Sequence, residues 1–269
     1  MCCFNRQFSL SSQPLHRLPL PPRGETHLWY VIPNEIKSTS LLKQYQDILS
    51  PFEKKSVLSF QEDEVRKKAL LARVLVRTTI SRYQTNSFVD PRSLKFKKNS
   101  YGKPEVDWQD VPDMNWPPLH FNLSHSSSLI ACGITTYSPI GIDVEDKNRT
   151  TKNDVISFAS RFFSPCEVDH LANISELELQ RQEFIKLWTL KESDIAVESS
   201  QFKTGEWQLA LLDLDDTHYV AICTQNDKFS KENTSPMALR VWKTIPFSED
   251  MCISGTRSVI TVGGLVKQL

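Results

Sequence analysis

The strongest constraint on this chain is the octapeptide Pro139-Ile140-Gly141-Ile142-Asp143-Val144-Glu145-Asp146. At the two-residue period of a β-strand, Ile140, Ile142 and Val144 share one face while Gly141, Asp143 and Glu145 share the other. Such a strand lays its apolar side on a core and keeps two carboxylates together on the opposite side. Alternate side chains stand roughly 6.5 to 7 Å apart along a strand, which suits one hard divalent cation between Asp143 and Glu145 better than a hydrogen-bonded acid pair. The same alternation also describes a half-buried strand whose acids only face solvent, and the stretch alone is compatible with both readings. Gly141 leaves space beside the acids.

A length of 269 residues allows one large domain or two modest ones. With 32 basic and 32 acidic residues the formal net charge is zero. No global field therefore favours nucleic acid or an anionic membrane, and any anion-binding surface must be local. The six cysteines include no C-x-x-C pair, which points to free thiols in a reducing compartment. No apolar run approaches the ~18 to 20 residues that span a bilayer. Residues 1–24 carry Arg6, Arg17 and Arg23, several serines and no acid before Glu25. That composition is transit-like, and a mitochondrial address is the expectation, but four prolines interrupt any amphipathic helix. A disordered tail on a cytosolic protein is the alternative.

From residue 25 the chain reads as folded. His27-Leu28-Trp29-Tyr30-Val31-Ile32 is aromatic and β-branched, as a buried first strand is. Helical spacing follows over 41–49 and 52–60. A long helix over 62–83 sets Val65, Ala69, Ala72, Val76 and Ile80 on one stripe, with Arg66, Lys67, Arg73, Arg77 and Arg82 expected on its solvated flanks. The Arg66-Lys67-Lys68 cluster lies in the first turns, where free N–H groups also favour anions. Asn99-Ser100-Tyr101-Gly102-Lys103-Pro104 brackets one lysine with turn residues. Over 119–134 a polar Asn122-Leu123-Ser124-His125-Ser126 turn separates two strands. His125 is open there to two roles, a phosphate donor or a turn cap.

The helix predicted over 178–198 places Glu192 between Ile185 and Trp188, inside the arc that faces the core. A carboxylate there is either salt-bridged, for instance by Lys191 or a distant arginine, or looks into a site. Strands over 207–212 and 218–223 follow. Beyond Gln225 the sequence is polar and only weakly β-like over 259–262. No Ser-His-Asp order, G-x-S-x-G elbow or paired metal-ligating histidines support a hydrolase.

Four separated stretches then form one pattern: Gly102-Lys103-Pro104, Phe121-Asn122-Leu123-Ser124-His125, Gly141-Ile142-Asp143-Val144-Glu145 and Trp188-Thr189-Leu190-Lys191-Glu192-Ser193. In order and spacing the chain resembles the surfactin-synthetase-activating type of 4'-phosphopantetheinyl transferase over residues 26–193. The resemblance implies an α/β (α+β) fold, a pseudo-dimer of two similar α/β halves. These would span 25–140 and 141–226, between a tail at 1–24 and a poorly defined segment at 227–269. It implies a monomer that uses coenzyme A and Mg²⁺ and acts on an apo acyl or peptidyl carrier protein, as in fatty acid biosynthesis, without nucleic acid or membrane. A carrier serine would attack the coenzyme A pyrophosphate, and 3',5'-ADP would leave. Asp143, Glu145 and Glu192 would bind or orient the metal, with Glu192 and Asp143 as catalytic groups. Lys103, Pro104, Asn122, Ser124, His125, Lys191 and Arg66 would bind coenzyme A.

The chain departs from this pattern after Ser193. The family continues with a lysine four residues beyond the glutamate and then a glycine-rich turn. Here the lysine position is Ala196, and no glycine occurs between Ser193 and Gly205. The strand near Trp207 arrives early, as an internal omission would produce. The resemblance thus also implies a catalytically impaired or binding-only form.

Overall fold

The structure, a computed structural model, describes residues 15–83, 90–100, 102–107, 119–150, 154–197, 207–225, 237–253 and 260–262. Residues 1–14 of the transit-like segment and the 198–206 stretch, where the departure continues, lie outside the described residues.

Strand β1 (Glu25–Val31) leads into helices α1 (Thr39–Gln46), α2 (Pro51–Leu58) and α3 (Asp63–Arg82). A short hairpin of β2 (Phe96–Lys98) and β3 (Pro104–Val106) precedes β4 (Leu119–His125) and β5 (Ile130–Thr136). Then β6 (Ile140–Asp146) begins the same order again: α4 (Val155–Ala159), α5 (Pro165–Ala172), α6 (Leu177–Val197), β7 (Trp207–Leu214) and β8 (His218–Gln225). The pairing recurs too, since β5 runs antiparallel to both β1 and β4, and β8 antiparallel to both β6 and β7. The fold is α+β, helices on two sheets, in agreement with the expectation from sequence.

The recurrence extends to side chains. Ser50 and Ser164 are each followed by proline at the first helical position and by a glutamate that closes a capping box, Glu53 in α2 and Glu167 in α5. Glu53 takes a guanidinium from Arg77 of α3 at 2.6 Å, and Glu167 takes the ammonium of Lys191 of α6 at 2.9 Å. Both cations lie the same distance along the chain from their glutamates. The shift in numbering that carries Ser50 onto Ser164 also carries Trp29 onto Asp143, Val31 onto Glu145 and Thr78 onto Glu192.

Three apolar clusters hold the layers. Leu28, Tyr30 and Ala131 meet Ile140, Ile142, Val144, Val220 and Ile222 and join the two sheets. Trp29, Val31 and Ile134 pack beneath Leu71, Leu75 and Ile80 of α3. Phe184, Ile185 and Leu190 of α6 cover Leu209, Leu211, Ala221 and Cys223.

Two expectations change. The segment read as a poorly defined tail contributes β9 (Ala238–Ile245), parallel to β1, and β10 (Glu249–Ile253), antiparallel to β9, so the first sheet runs β10-β9-β1-β5-β4. A third piece, β11 (Ile260–Val262), pairs with β7. Arg77 and Arg82, expected on solvated flanks, are 2% and 1% exposed. Arg77 also donates to the carbonyls of Pro91 and Leu94, and Arg82 grips Asp250 of β10 while stacking over Trp29. A helix-face count sees only the helix, whereas these partners arrive from far along the chain.

Candidate active site

The site forms where the two sheets end. In the second sheet, ordered β11-β7-β8-β6, strand β6 is an edge, as β4 is in the first. An open edge leaves backbone N–H groups without partners. Here side chains of β4 take them: Ile142 N–H donates to Asn122 Oδ1 at 2.8 Å, and Val144 N–H to Ser124 Oγ at 3.2 Å. The Ser124 hydroxyl in turn donates to Asp143 Oδ1 at 2.9 Å. Two polar residues of the first half thus align the strand that carries Asp143 and Glu145.

Gly141 sets the other wall. A Cβ at this position would stand 2.1 Å from the Ser193 carbonyl oxygen and 2.7 Å from the Val197 nitrogen, so α6 rests directly on β6. That close seating brings Glu192 into electrostatic contact with Asp143 and Glu145. Burial holds the Asp143 carboxyl above its usual range, and the Glu192 charge adds to the shift against the bond from Ser124. Burial likewise pushes Glu145 up to about 7, opposed by Arg149 and reinforced by Asp143 and Glu192. Among the described residues Glu192 forms no ion pair, and its charge acts on Asp143 and Glu145. Asp143 Oδ2 is buried without a hydrogen-bond partner.

Glu145 is held by groups the sequence reading did not single out for this purpose. Arg149 pairs with its Oε1, and Trp188 donates a hydrogen bond to it. Arg149 is delivered by a fixed turn, since Arg181 of α6 donates to the carbonyls of Lys147 at 2.5 Å and Arg149 at 3.0 Å. Arg149 stands four residues after Glu145, a spacing without meaning outside a helix, and only the turn gives it one. Among the described residues no three His, Cys, Asp or Glu side chains are arranged as a ready metal cluster, the expected Asp143, Glu145 and Glu192 set included. Their chemistry nevertheless fits a hard cation: carboxylate oxygens only, like charges crowded together, and one buried oxygen with nothing to accept from.

A family model described as the 4'-phosphopantetheinyl transferase superfamily matches residues 139–231, and one described as 4'-phosphopantetheinyl transferase, N-terminal, matches 37–135. The 4'-phosphopantetheinyl transferase HetI of Nostoc sp. is 32% identical over 184 residues, covering 65% of this chain and 71% of its own length. The chain belongs to the 4'-phosphopantetheinyl transferase family. The 4'-phosphopantetheinyl transferase Sfp of Bacillus subtilis is 35% identical over 157 residues, 58% of this chain and 62% of that protein. A second Bacillus subtilis 4'-phosphopantetheinyl transferase is 35% identical over 136 residues, 51% and 54% respectively. The chain therefore spans less than two thirds of these last two relatives.

The remaining residues that family resemblance nominates are placed as follows. His125 ends β4 one residue beyond Ser124 and is exposed, with no side-chain hydrogen bond among the described residues. Lys103, beside Pro104 at the start of β3, is drawn inward: its Nζ donates to the carbonyls of Ile140 at 2.8 Å and Ala196 at 2.7 Å. Burial lowers its pKa to about 8. Lys191 is engaged with Glu167 and lies over Phe163. Arg66 folds back on the start of α3, donating to the Phe60 and Gln61 carbonyls and to Asp63. Asp143, Glu145, Glu192, Asn122, Ser124 and Lys103 are thus gathered at the β4–β6–α6 junction, whereas Lys191 and Arg66 are committed elsewhere.

Proposed function

We propose that this chain transfers the 4'-phosphopantetheine group of coenzyme A to a serine of an apo carrier protein. The serine oxygen forms a bond to the phosphorus nearest the pantetheine, the bond to the bridging oxygen breaks, and 3',5'-ADP leaves. The observation that carries the reading is that Asp143 and Glu145, on a strand aligned from the opposite half, feel the charge of Glu192 on α6, with one Asp143 oxygen buried and partnerless. Phosphoryl transfer needs in-line positioning and neutralised phosphate oxygens. Asp143 and Glu145, with Glu192, would hold Mg²⁺, which when bound supplies the neutralising charge. Glu192 accepts the serine proton, directly or through water, and Ser124 keeps Asp143 in place. His125, exposed at the rim, contacts a coenzyme A phosphate. Its replacement by alanine is expected to weaken binding of coenzyme A more than of dephospho-coenzyme A, and equal weakening would move His125 off the 3'-phosphate.

The test is incubation of the chain with apo-carrier protein, coenzyme A and Mg²⁺, read by the mass of the carrier. An unmodified carrier, with coenzyme A still bound by the chain, would favour the second reading, an impaired or binding-only form. One observation supports that reading: Ala196 stands where the family has a lysine, so a charge able to meet phosphate is missing, at a cost of about 1.5 to 3 kcal/mol. Activity restored by inserting the family-length segment after Ser193 would establish it. A mitochondrial address, a monomeric state and a carrier of fatty acid biosynthesis belong to the same proposal. A diffuse cytosolic signal from residues 1–24 fused to a reporter would remove the first of these.

A further inference from the structure

Lys103 lies at a convergence the transfer reaction does not by itself explain. Its ammonium bridges two backbone oxygens, one at the first residue of β6 and one in the last turn of α6. Those residues flank the tightest approach between the two elements, where the Gly141 backbone lies against Ser193 and Val197. The last carbonyls of a helix have no partner within it, and a cation there also complements the helix dipole. Lys103 is itself presented by a fixed turn. Its N–H donates to Asn99 Oδ1 at 3.0 Å, Gly102 N–H to the Asn99 carbonyl at 3.0 Å, and Gly102 takes φ 79°.

We propose that Lys103 is a positioning residue: from the first half it locks the end of α6 onto β6, and so fixes where Glu192 stands relative to Asp143. Glu192 directly precedes Ser193, whose carbonyl faces Gly141, while Asp143 is two residues along the strand from Gly141. A clamp at this contact sets the spacing of carboxylates on two different elements. One ammonium thus ties the first residue of β6 to the last described turn of α6. The idea of what Glu192 does rests on the transferase reading, but the clamp does not.

The experiment compares the full chain with Lys103→Met, which keeps the aliphatic stem and removes the donors. Without ligand, amide hydrogen exchange in residues 193–197 is expected to quicken about tenfold, while protection in β1 and β8 stays unchanged. Affinity for coenzyme A, by calorimetry, should stay within about twofold, and where turnover is measured kcat should fall while KM for coenzyme A holds. Unchanged exchange at 193–197, with coenzyme A bound about tenfold more weakly, would overturn the proposal and make Lys103 a phosphate contact. If Lys103→Met loses protection throughout the fold, Lys103→Gln, which retains a neutral donor, is measured instead and must show the same local quickening. The exchange result decides the proposal whether or not this chain transfers the group, so its failure is distinguishable from failure of the transferase reading.

Discussion

The two halves repeat one plan, and they differ most at the strand that opens each. In the first half, the outward face of β1 presents His27, Trp29 and Val31, and α3 covers them as core. In the second, the same positions hold Gly141, Asp143 and Glu145, and α6 comes down on a glycine with two acids beside it. Thr78 of α3 turns its hydroxyl back to the Val74 carbonyl at 2.8 Å, fully buried, whereas its counterpart Glu192 faces other carboxylates. One scaffold thus serves as a filled core on one side and as a charged site on the other. The lesson is that the caps and long helices carry the fold in both halves, so the second strand is free to sacrifice apolar packing for chemistry. Burial that stabilises Trp29 is the same burial that raises the Asp143 and Glu145 carboxyls.

Asp143→Ala should break the chemical side of this contrast with the largest effect. Transfer is expected to fall about a thousandfold with the thermal midpoint held or raised, because a buried oxygen without a partner is removed. A folded variant with full Mg²⁺-dependent transfer would show that the reaction does not use Asp143. The paired capping boxes come next. Glu53→Ala strands Arg77, which is 2% exposed, and should cost about 4 kcal/mol in chemical denaturation. Glu167→Ala frees Lys191, whose side chain is 27% exposed, and should cost about 1 kcal/mol. Equal costs would mean that the two halves are balanced alike after all.

Gly141→Ala tests the seating of α6, since the added Cβ meets backbone, which cannot turn aside. A loss of about 3 kcal/mol is expected, with the second half affected first in hydrogen exchange. The last test is the pH dependence. Glu145 is raised from 4.5 to about 7, so the folded chain keeps a proton there that the unfolded chain has released. Its contribution to stability is therefore fully present below about pH 4.5 and is lost as pH rises through about 7, in metal-free solution. Glu145→Gln should flatten that decline in the melting temperature, and an unchanged slope would assign it to other groups.

Glu192 was legible from sequence because a carboxylate in the apolar arc of a helix breaks a local periodicity. Arg77 and Arg82 were not, because arginine at the margin of an apolar stripe is ordinary and their partners Glu53 and Asp250 lie on other elements. Lys103 could be read as fixed in a turn but not as aimed inward. The two Ser-Pro-x-Glu openings are visible in the sequence, and the shift that matches them also sets Trp29 against Asp143.

What the sequence determined by itself is whatever depends on neighbours along the chain: the alternation that makes β6 two-faced, the helices and their caps, and the motifs that mark the family. The tertiary structure alone decided that β4 closes the β6 edge, that Arg149 is the counter-ion of Glu145, and that residues 238–253 complete the first sheet. Those contacts join residues far apart in the chain or brought round by a turn. Hydrogen bonding and charge act over a few ångströms of space, and no local pattern encodes which distant groups will share that space.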